Sequence, residues 1–152
     1  MKRETLKVRI KRLSENAVMP KYAKPGDAGM DLVATSRSFD ETGNVVYGTG
    51  LAFEIPEGYV GLIFPRSSLS KYDIALSNHV AVIDSGYRGE VVMKFKPTST
   101  IWKNMGGTNA HYNVGDRICQ IIIVPYPAVE FEEADELSET ERGAGGYGST
   151  GK

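Results

Sequence analysis

The segment Val82-Ile83-Asp84-Ser85-Gly86-Tyr87-Arg88-Gly89-Glu90-Val91 sets a carboxylate three positions ahead of an aromatic ring, between two apolar runs. A carboxylate at such a tip can accept a proton from water while the ring floors a sugar pocket. Asp84 and Gly86 are equally ordinary turn formers, so alone the segment also reads as a structural hairpin. Asn78, six residues before Asp84, brings an amide that both donates and accepts, as a pyrimidine edge requires.

Anion donors occur in three further places. In Pro65-Arg66-Ser67-Ser68-Leu69-Ser70 an arginine and hydroxyls open a short helix expected over Ser67 to Asp73, where serines cap amides and a helix start favours phosphate. By itself this is also an N-cap with a surface arginine. Within Gly115-Asp116-Arg117-Ile118-Cys119-Gln120, Gln120 offers a strand a neutral donor. Asp116, or Asp31 in Ala28-Gly29-Met30-Asp31-Leu32, can serve simply to brace a turn, with Arg117 as an ion-pair partner.

The third place is the glycine-rich stretch from Arg142 to Lys152. Gly143, Gly145 and Gly148 match a dinucleotide-binding spacing, and Gly146 to Lys152 matches most of a P-loop, but both chemistries need a strand before the glycines and a helix after them. Neither context is present. On composition the stretch is a disordered, solubilising tail. Arg142, Tyr147, Ser149 and Thr150 give it a guanidinium, a flat ring and two hydroxyls, the groups of a lid that orders over a nucleotide.

The elements that position these residues are expected to be short strands. Leu6 to Lys11 alternates apolar and charged residues, and similar runs occur at Asp31 to Ala34, Leu51 to Ile55, Tyr59 to Phe64, Val80 to Ile83, Val91 to Phe95, Arg117 to Val124 and Val129 to Phe131. Turn formers at Glu41 to Asn44, Pro56 to Gly58 and Met105 to Gly107 separate them. The pattern predicts an all-β, single-domain sandwich or barrel with one short helix. Pro97 to Tyr112 lacks periodicity and reads as a long exposed hairpin connection. The expected division is a β domain over 1–133 and a flexible arm over 134–152.

Eighteen basic residues against 19 acidic ones leave a net charge of −1, which gives no overall field for nucleic acid or an acidic membrane. One cysteine, Cys119, permits no internal disulfide, and two histidines are too few for a His-rich metal centre. No apolar run approaches the ~20 residues of a membrane span. A soluble, unprocessed cytoplasmic protein is therefore expected.

Taken in order, the five segments from Ala28 to Gly151 resemble the five sequence motifs of the trimeric all-β deoxyuridine triphosphatase family. The resemblance implies a jelly-roll-like fold and hydrolysis of dUTP to dUMP and pyrophosphate, with Mg²⁺. It makes Asp84 the catalytic carboxylate and Tyr87 the ring that packs on deoxyribose. Arg66, Ser67, Ser68 and Gln120 correspond to phosphate ligands. Asn78 corresponds to the uracil-reading amide, helped by backbone groups around Val82, Ile83 and Val92. Tyr147 stands where the family usually has a phenylalanine stacking on uracil, and Arg142, Gly148, Ser149 and Thr150 surround the γ-phosphate. Asp31 corresponds to a carboxylate that supports the metal through water. Ser68 and Ser70 depart from the glycine and alanine more usual there.

The resemblance also implies a homotrimer whose sites combine a phosphate loop, a hairpin and an arm from three subunits. From Ala134 the arm can extend ~60 Å at ~3.3 Å per residue, enough to reach a neighbour. Competing readings are a dCTP deaminase-like enzyme, a dUTP-binding sensor and a capsid-like structural domain. Ammonia release from dCTP identifies the first. Binding without pyrophosphate release identifies the second, and the third has no use for Arg142 to Thr150.

Overall fold

Period-two patterning becomes alternating burial along the strands: in Val92–Pro97, Met93 and Phe95 point into the core while Val92, Lys94 and Lys96 face solvent. The computed structural model describes residues 5–98 and 111–146. Its strands are β1 (Arg9–Arg12), β2 (Met30–Val33), β3 (Ser36–Phe39), β4 (Val45–Gly48), β5 (Leu51–Glu54), β6 (Tyr59–Pro65), β7 (Ile74–Leu76), β8 (Ala81–Ile83), β9 (Val92–Pro97) and β10 (Arg117–Pro125). They form one antiparallel sheet ordered β2-β10-β6-β8, a second ordered β3-β4-β9-β7, and a two-stranded sheet β1-β5. This is a jelly-roll-like sandwich; among the described residues no sheet closes into a barrel.

One hydrophobic cluster draws on all three sheets. Leu32, Ile63, Ile118 and Ile121 come from the first, Val45, Tyr47, Met93 and Phe95 from the second, and Leu51 and Phe53 from β5. Cys119 lies within it, and burial pushes its thiol up to about 12. At neutral pH that side chain is packing material, not a nucleophile.

Register also defines an outward face. Ile122 pairs with Leu62, and Leu62 with Val82, on the side opposite Ile121, Ile63 and Ala81. The row is aliphatic yet incompletely covered, with Val82 60% exposed. Fully burying one such side chain is worth roughly 1.5–3 kcal/mol.

Several expectations change. Val129 to Phe131 forms no strand; every residue from 126 to 144 is exposed, with Phe131 at 94%, and this stretch has no strand partner among the described residues. β1 starts at Arg9 instead of Leu6. Strands β3, β4 and β7 are additional to those read from the sequence: β3 is exposed throughout and owes its extension to pairing with β4. The tip between them is the expected turn, where Asp40 accepts from the side chains of Asn44 and Thr42, holding its carboxyl well below the usual carboxylate range.

The expected short helix is a single 3-10 turn, Ser67–Lys71, entered from extended Arg66 with no side-chain cap. Ser70 Oγ instead donates to the Ser67 carbonyl. One turn of 3-10 geometry aligns too few peptides for an appreciable macrodipole, so side-chain donors must dominate anion binding here.

The Val82 to Val91 segment is not a paired hairpin. β8 pairs with β6 and β9 with β4 and β7, so the turn carries the chain between the two large sheets. Most of the Pro97 to Tyr112 connection, including the turn expected at Met105 to Gly107, lies outside the described residues. Its last residues are not exposed: Tyr112 is 2% exposed and His111 8%.

Candidate functional site

A polar cluster forms at one end of the sheet β2-β10-β6-β8. Gln120 of β10 pairs with Asp31 of β2 on one side and Phe64 of β6 on the other, which sets Asp31 and Gln120 beside the end of β6. A bulge between Arg117 and Cys119 lets Ile118 and Cys119 both turn inward and leaves Arg117 on the outer side. Arg117 Nη1 then donates to Asp31 Oδ2 at 3.2 Å. Arg66, leaving β6, donates from Nε to Asp31 Oδ1 at 2.7 Å.

Asp31 thus braces two guanidinium groups, confirming the ion-pair alternative for Arg117. The Arg66 pair is three-quarters buried on both sides, and charge-assisted bonds of this kind fix direction better than an exposed pair does. Asp116 braces its turn by accepting from the Asn113 amide at 2.7 Å. Gln120 Nε2 donates to the Pro65 carbonyl at 3.2 Å, tying the side chain to the backbone just before Arg66. Gly29 makes room for it: a Cβ there would lie 2.7 Å from Gln120 Oε1.

Ser67 is exposed and Ser68 half-buried; Arg66 Nη1 donates to Ser68 Oγ at 3.3 Å. Arginine, two hydroxyls and an amide therefore converge on one end of the sheet. Asp31 takes up part of the guanidinium donors, and the hydroxyls and amide keep donor capacity that an anion can use.

The Asp84 loop is pinned from several sides. Arg88 Nη1 donates to the carbonyls of Ser85 at 2.6 Å and Tyr87 at 3.0 Å. Its Nη2 lies 3.9 Å from Glu54, which also binds Arg9 at 2.9 Å. Glu90 reaches back to accept from the Gly50 amide at 2.8 Å, and Tyr87 Oη donates to the Glu90 carbonyl at 2.9 Å. The Tyr87 ring crosses over Gly89 so closely that a Cβ would meet its Cζ at 2.6 Å. Arg88, Gly89 and Glu90 were not identified from the sequence, because arginine, glycine and glutamate in a turn carry no signal of which backbone groups they hold.

Asp84 itself is exposed, and among the described residues its carboxylate makes no side-chain hydrogen bond or ion pair. Val82 and Val92 are also exposed and Ile83 half-buried on the flanking strands. Asn78 is exposed in the turn between β7 and β8, where its carbonyl accepts from Val80 at 2.6 Å.

The two groups are not brought together within the chain. Ile83 pairs with Gly61, so Asp84 lies level with the start of β6 while Arg66 follows its end. Six strand steps separate these levels, roughly 20 Å at ~3.3 Å per residue. Arg142 is described, with Nε donating to the Gly145 carbonyl at 3.0 Å in an exposed turn. Tyr147, Gly148, Ser149 and Thr150 lie outside the described residues.

The family model described as dUTPase matches residues 15–151. The deoxyuridine 5'-triphosphate nucleotidohydrolase of Desulfitobacterium hafniense is 43% identical over 151 residues, 96% of this chain and 95% of that protein. The corresponding protein of Thermobifida fusca is 39% identical over 97% of this chain and 80% of its own length. Among solved structures, a mutant of the Staphylococcus bacteriophage 80alpha dUTPase with dUpNHpp superposes with a TM-score of 0.81 at 30% identity, covering 97% of this chain and 100% of that one. A mutant dUTPase of phage phi11 of S. aureus, described with a structural Mg(II) ion, has a TM-score of 0.70 at 27% identity over 86% of this chain and 98% of its own. An ordered set of motifs, a sandwich that matches in shape and a family model spanning nearly the whole sequence agree: the chain belongs to the dUTPase family.

Proposed function

We propose that this dUTPase hydrolyses dUTP to dUMP and pyrophosphate by in-line attack of water on the α-phosphorus, with Asp84 as the general base. The observation that carries the assignment is an exposed carboxylate, unpaired among the described residues, on a loop whose backbone is otherwise tied down by Arg88, Glu90 and Tyr87. A base needs a free lone pair and a fixed direction, and general-base assistance is typically worth ~10²–10⁴-fold.

Arg66, Ser67, Ser68 and Gln120 bind the phosphates, joined by Arg142, Gly148, Ser149 and Thr150 from the arm. Asn78 and the backbone around Val82, Ile83 and Val92 read uracil, Tyr87 packs on deoxyribose and Tyr147 stacks on the base. Cytosine exchanges a donor for an acceptor and leaves buried partners unpaired, a penalty that reaches ~10⁴-fold. A 5-methyl meets the loop backbone, and a 2′-hydroxyl meets the Tyr87 ring.

Among the described residues no group of three or more Asp, Glu, His or Cys side chains is placed to cage a metal. Both Asp31 oxygens already accept from arginines, but each keeps a second lone pair, which suits support of Mg²⁺ through water. When bound with the triphosphate, Mg²⁺ supplies neutralisation of charge on the phosphate oxygens.

The separation of Asp84 from Arg66 along β6 supports a homotrimer in which each site takes its phosphate loop, its Asp84 loop and its arm from different subunits. The outward Ile122–Leu62–Val82 row supplies an apolar face for that contact. Residues 134–152 act as the arm. Among the described residues no helix is long and apolar enough to cross a membrane, and we place the enzyme in the cytoplasm, acting on a small nucleotide without nucleic acid or membrane as partner.

The decisive assay is pyrophosphate release from dUTP, dCTP, dTTP and UTP with Mg²⁺. Turnover confined largely to dUTP is expected; equal rates on all four, or none on dUTP, would sink the assignment. In the same assay Gly89→Ala is expected to lower kcat/KM on dUTP by about 10–100-fold, since its Cβ displaces the Tyr87 ring and the loop with it. Wild-type kcat/KM in that variant would show that the ring's position is irrelevant.

A further inference from the structure

The Tyr112 phenol lies 3.1 Å from Ser68 Oγ, joining the end of the 97–112 connection to the anion-binding turn. Tyr112 is fixed at its other atoms. Its carbonyl accepts from Tyr47 Oη at 2.7 Å and from Arg37 Nη1 at 3.4 Å. Its ring is tilted against Tyr72 at 4.6 Å and meets Phe95 and Tyr47 edge-on at 5.9 and 6.4 Å. With 2% of its surface exposed, the side chain has no freedom to follow Ser68 if the turn moves.

The chemistry of the pair has a preferred sense. A phenol is a stronger acid than an alkyl alcohol, so Tyr112 is the better donor and Ser68 the better acceptor. Arg66 Nη1 already donates to the same serine oxygen at 3.3 Å. With both lone pairs occupied, the Ser68 proton has one remaining use, donation to an acceptor outside the cluster. Hydrogen bonds in such a chain polarise one another, which strengthens that outgoing donor.

Resting on the phosphate-binding role of this turn, we infer that Tyr112 is a positioning residue that holds Ser68 as a committed donor to a triphosphate oxygen. Tyr112, at the described end of the 97–112 connection, is thereby tied to the strength of phosphate binding through a side chain that never touches substrate.

Tyr112→Phe retains the ring and removes only the hydroxyl, and Ser68→Ala removes the other partner. Each is expected to raise KM for dUTP about tenfold, the size of a lost bond to a charged acceptor, with kcat within about twofold of wild type. The double variant is expected to match Ser68→Ala alone, because the two hydroxyls act in series. An unchanged KM in Tyr112→Phe, or multiplying effects in the double variant, overturns the inference. Should Tyr112→Phe fail to fold, amide exchange in Ser68→Ala decides from the other side: faster exchange at residues 69–72 is expected, and unchanged exchange refutes the link. Should wild type not turn over dUTP, the functional assignment fails separately, and calorimetric Kd values for inorganic triphosphate replace KM with the same outcomes.

Discussion

Asp84→Asn keeps dUTP binding near the wild-type level and lowers kcat by about 10²–10⁴-fold, the range lost when a general base is removed. The substitution preserves size and planarity but takes away the lone pair that accepts the water proton. It leaves the loop intact, because the ties there run through other groups. The Asp84 backbone carbonyl accepts from the Tyr87 amide at 3.1 Å, and Arg88 and Glu90 hold the rest. A non-hydrolysable imido analogue titrated by calorimetry gives Kd, and pyrophosphate release gives kcat. Retention of kcat within about threefold would remove Asp84 from the chemistry. Loss of binding equal to loss of rate would make it a binding residue.

Mixing Asp84→Asn chains with Arg66→Ala chains restores activity that neither has alone. Asp84 and Arg66 lie level with opposite ends of β6, so a site built inside one chain has to bridge roughly 20 Å of strand at ~3.3 Å per residue. In a closed ring of identical subunits each site can instead take Arg66 from one subunit and Asp84 from the next. After equal mixing, unfolding and reassembly, about a quarter of sites then combine an intact Arg66 with an intact Asp84, if subunits pair at random. Recovery toward that fraction of wild-type turnover is expected from the assay. No recovery, in mixtures shown by mass spectrometry to contain both chains in one oligomer, would mean that each subunit builds its own site.

The candidate site residues were legible in the sequence to the extent that their chemistry is intrinsic. Asp84, Tyr87, Arg66, Gln120 and Asn78 stand out as an ordered set, since each alone also has an ordinary structural use in a turn, a cap or a strand. Residues that act by holding backbone were not legible. Gly89 is required by the Tyr87 ring above it and Glu90 by the Gly50 amide, a partner 40 residues away that no local pattern announces. Tyr112 is the extreme case, an aromatic at the end of an aperiodic stretch whose hydroxyl meets Ser68 across 44 residues.

The strands divide in the same way. β9 and β10 were legible since apolar residues there recur at strand spacing or run continuously. β3 was not, for Ser36–Phe39 is exposed throughout and is extended because β4 pairs with it. Val129 to Phe131 has the opposite history: its alternation suits a strand, yet it pairs with no strand among the described residues and stays exposed.

By itself the sequence determined an all-β chain carrying the five ordered motifs of the dUTPase family, because side-chain chemistry and hydrophobic period are local properties. Only the tertiary structure decided that Asp31 braces two arginines, that the Asp84 turn passes between sheets, and that Asp84 and Arg66 lie level with opposite ends of β6. Strand register fixes those relations, and register is a property of pairs of strands that neither strand encodes alone.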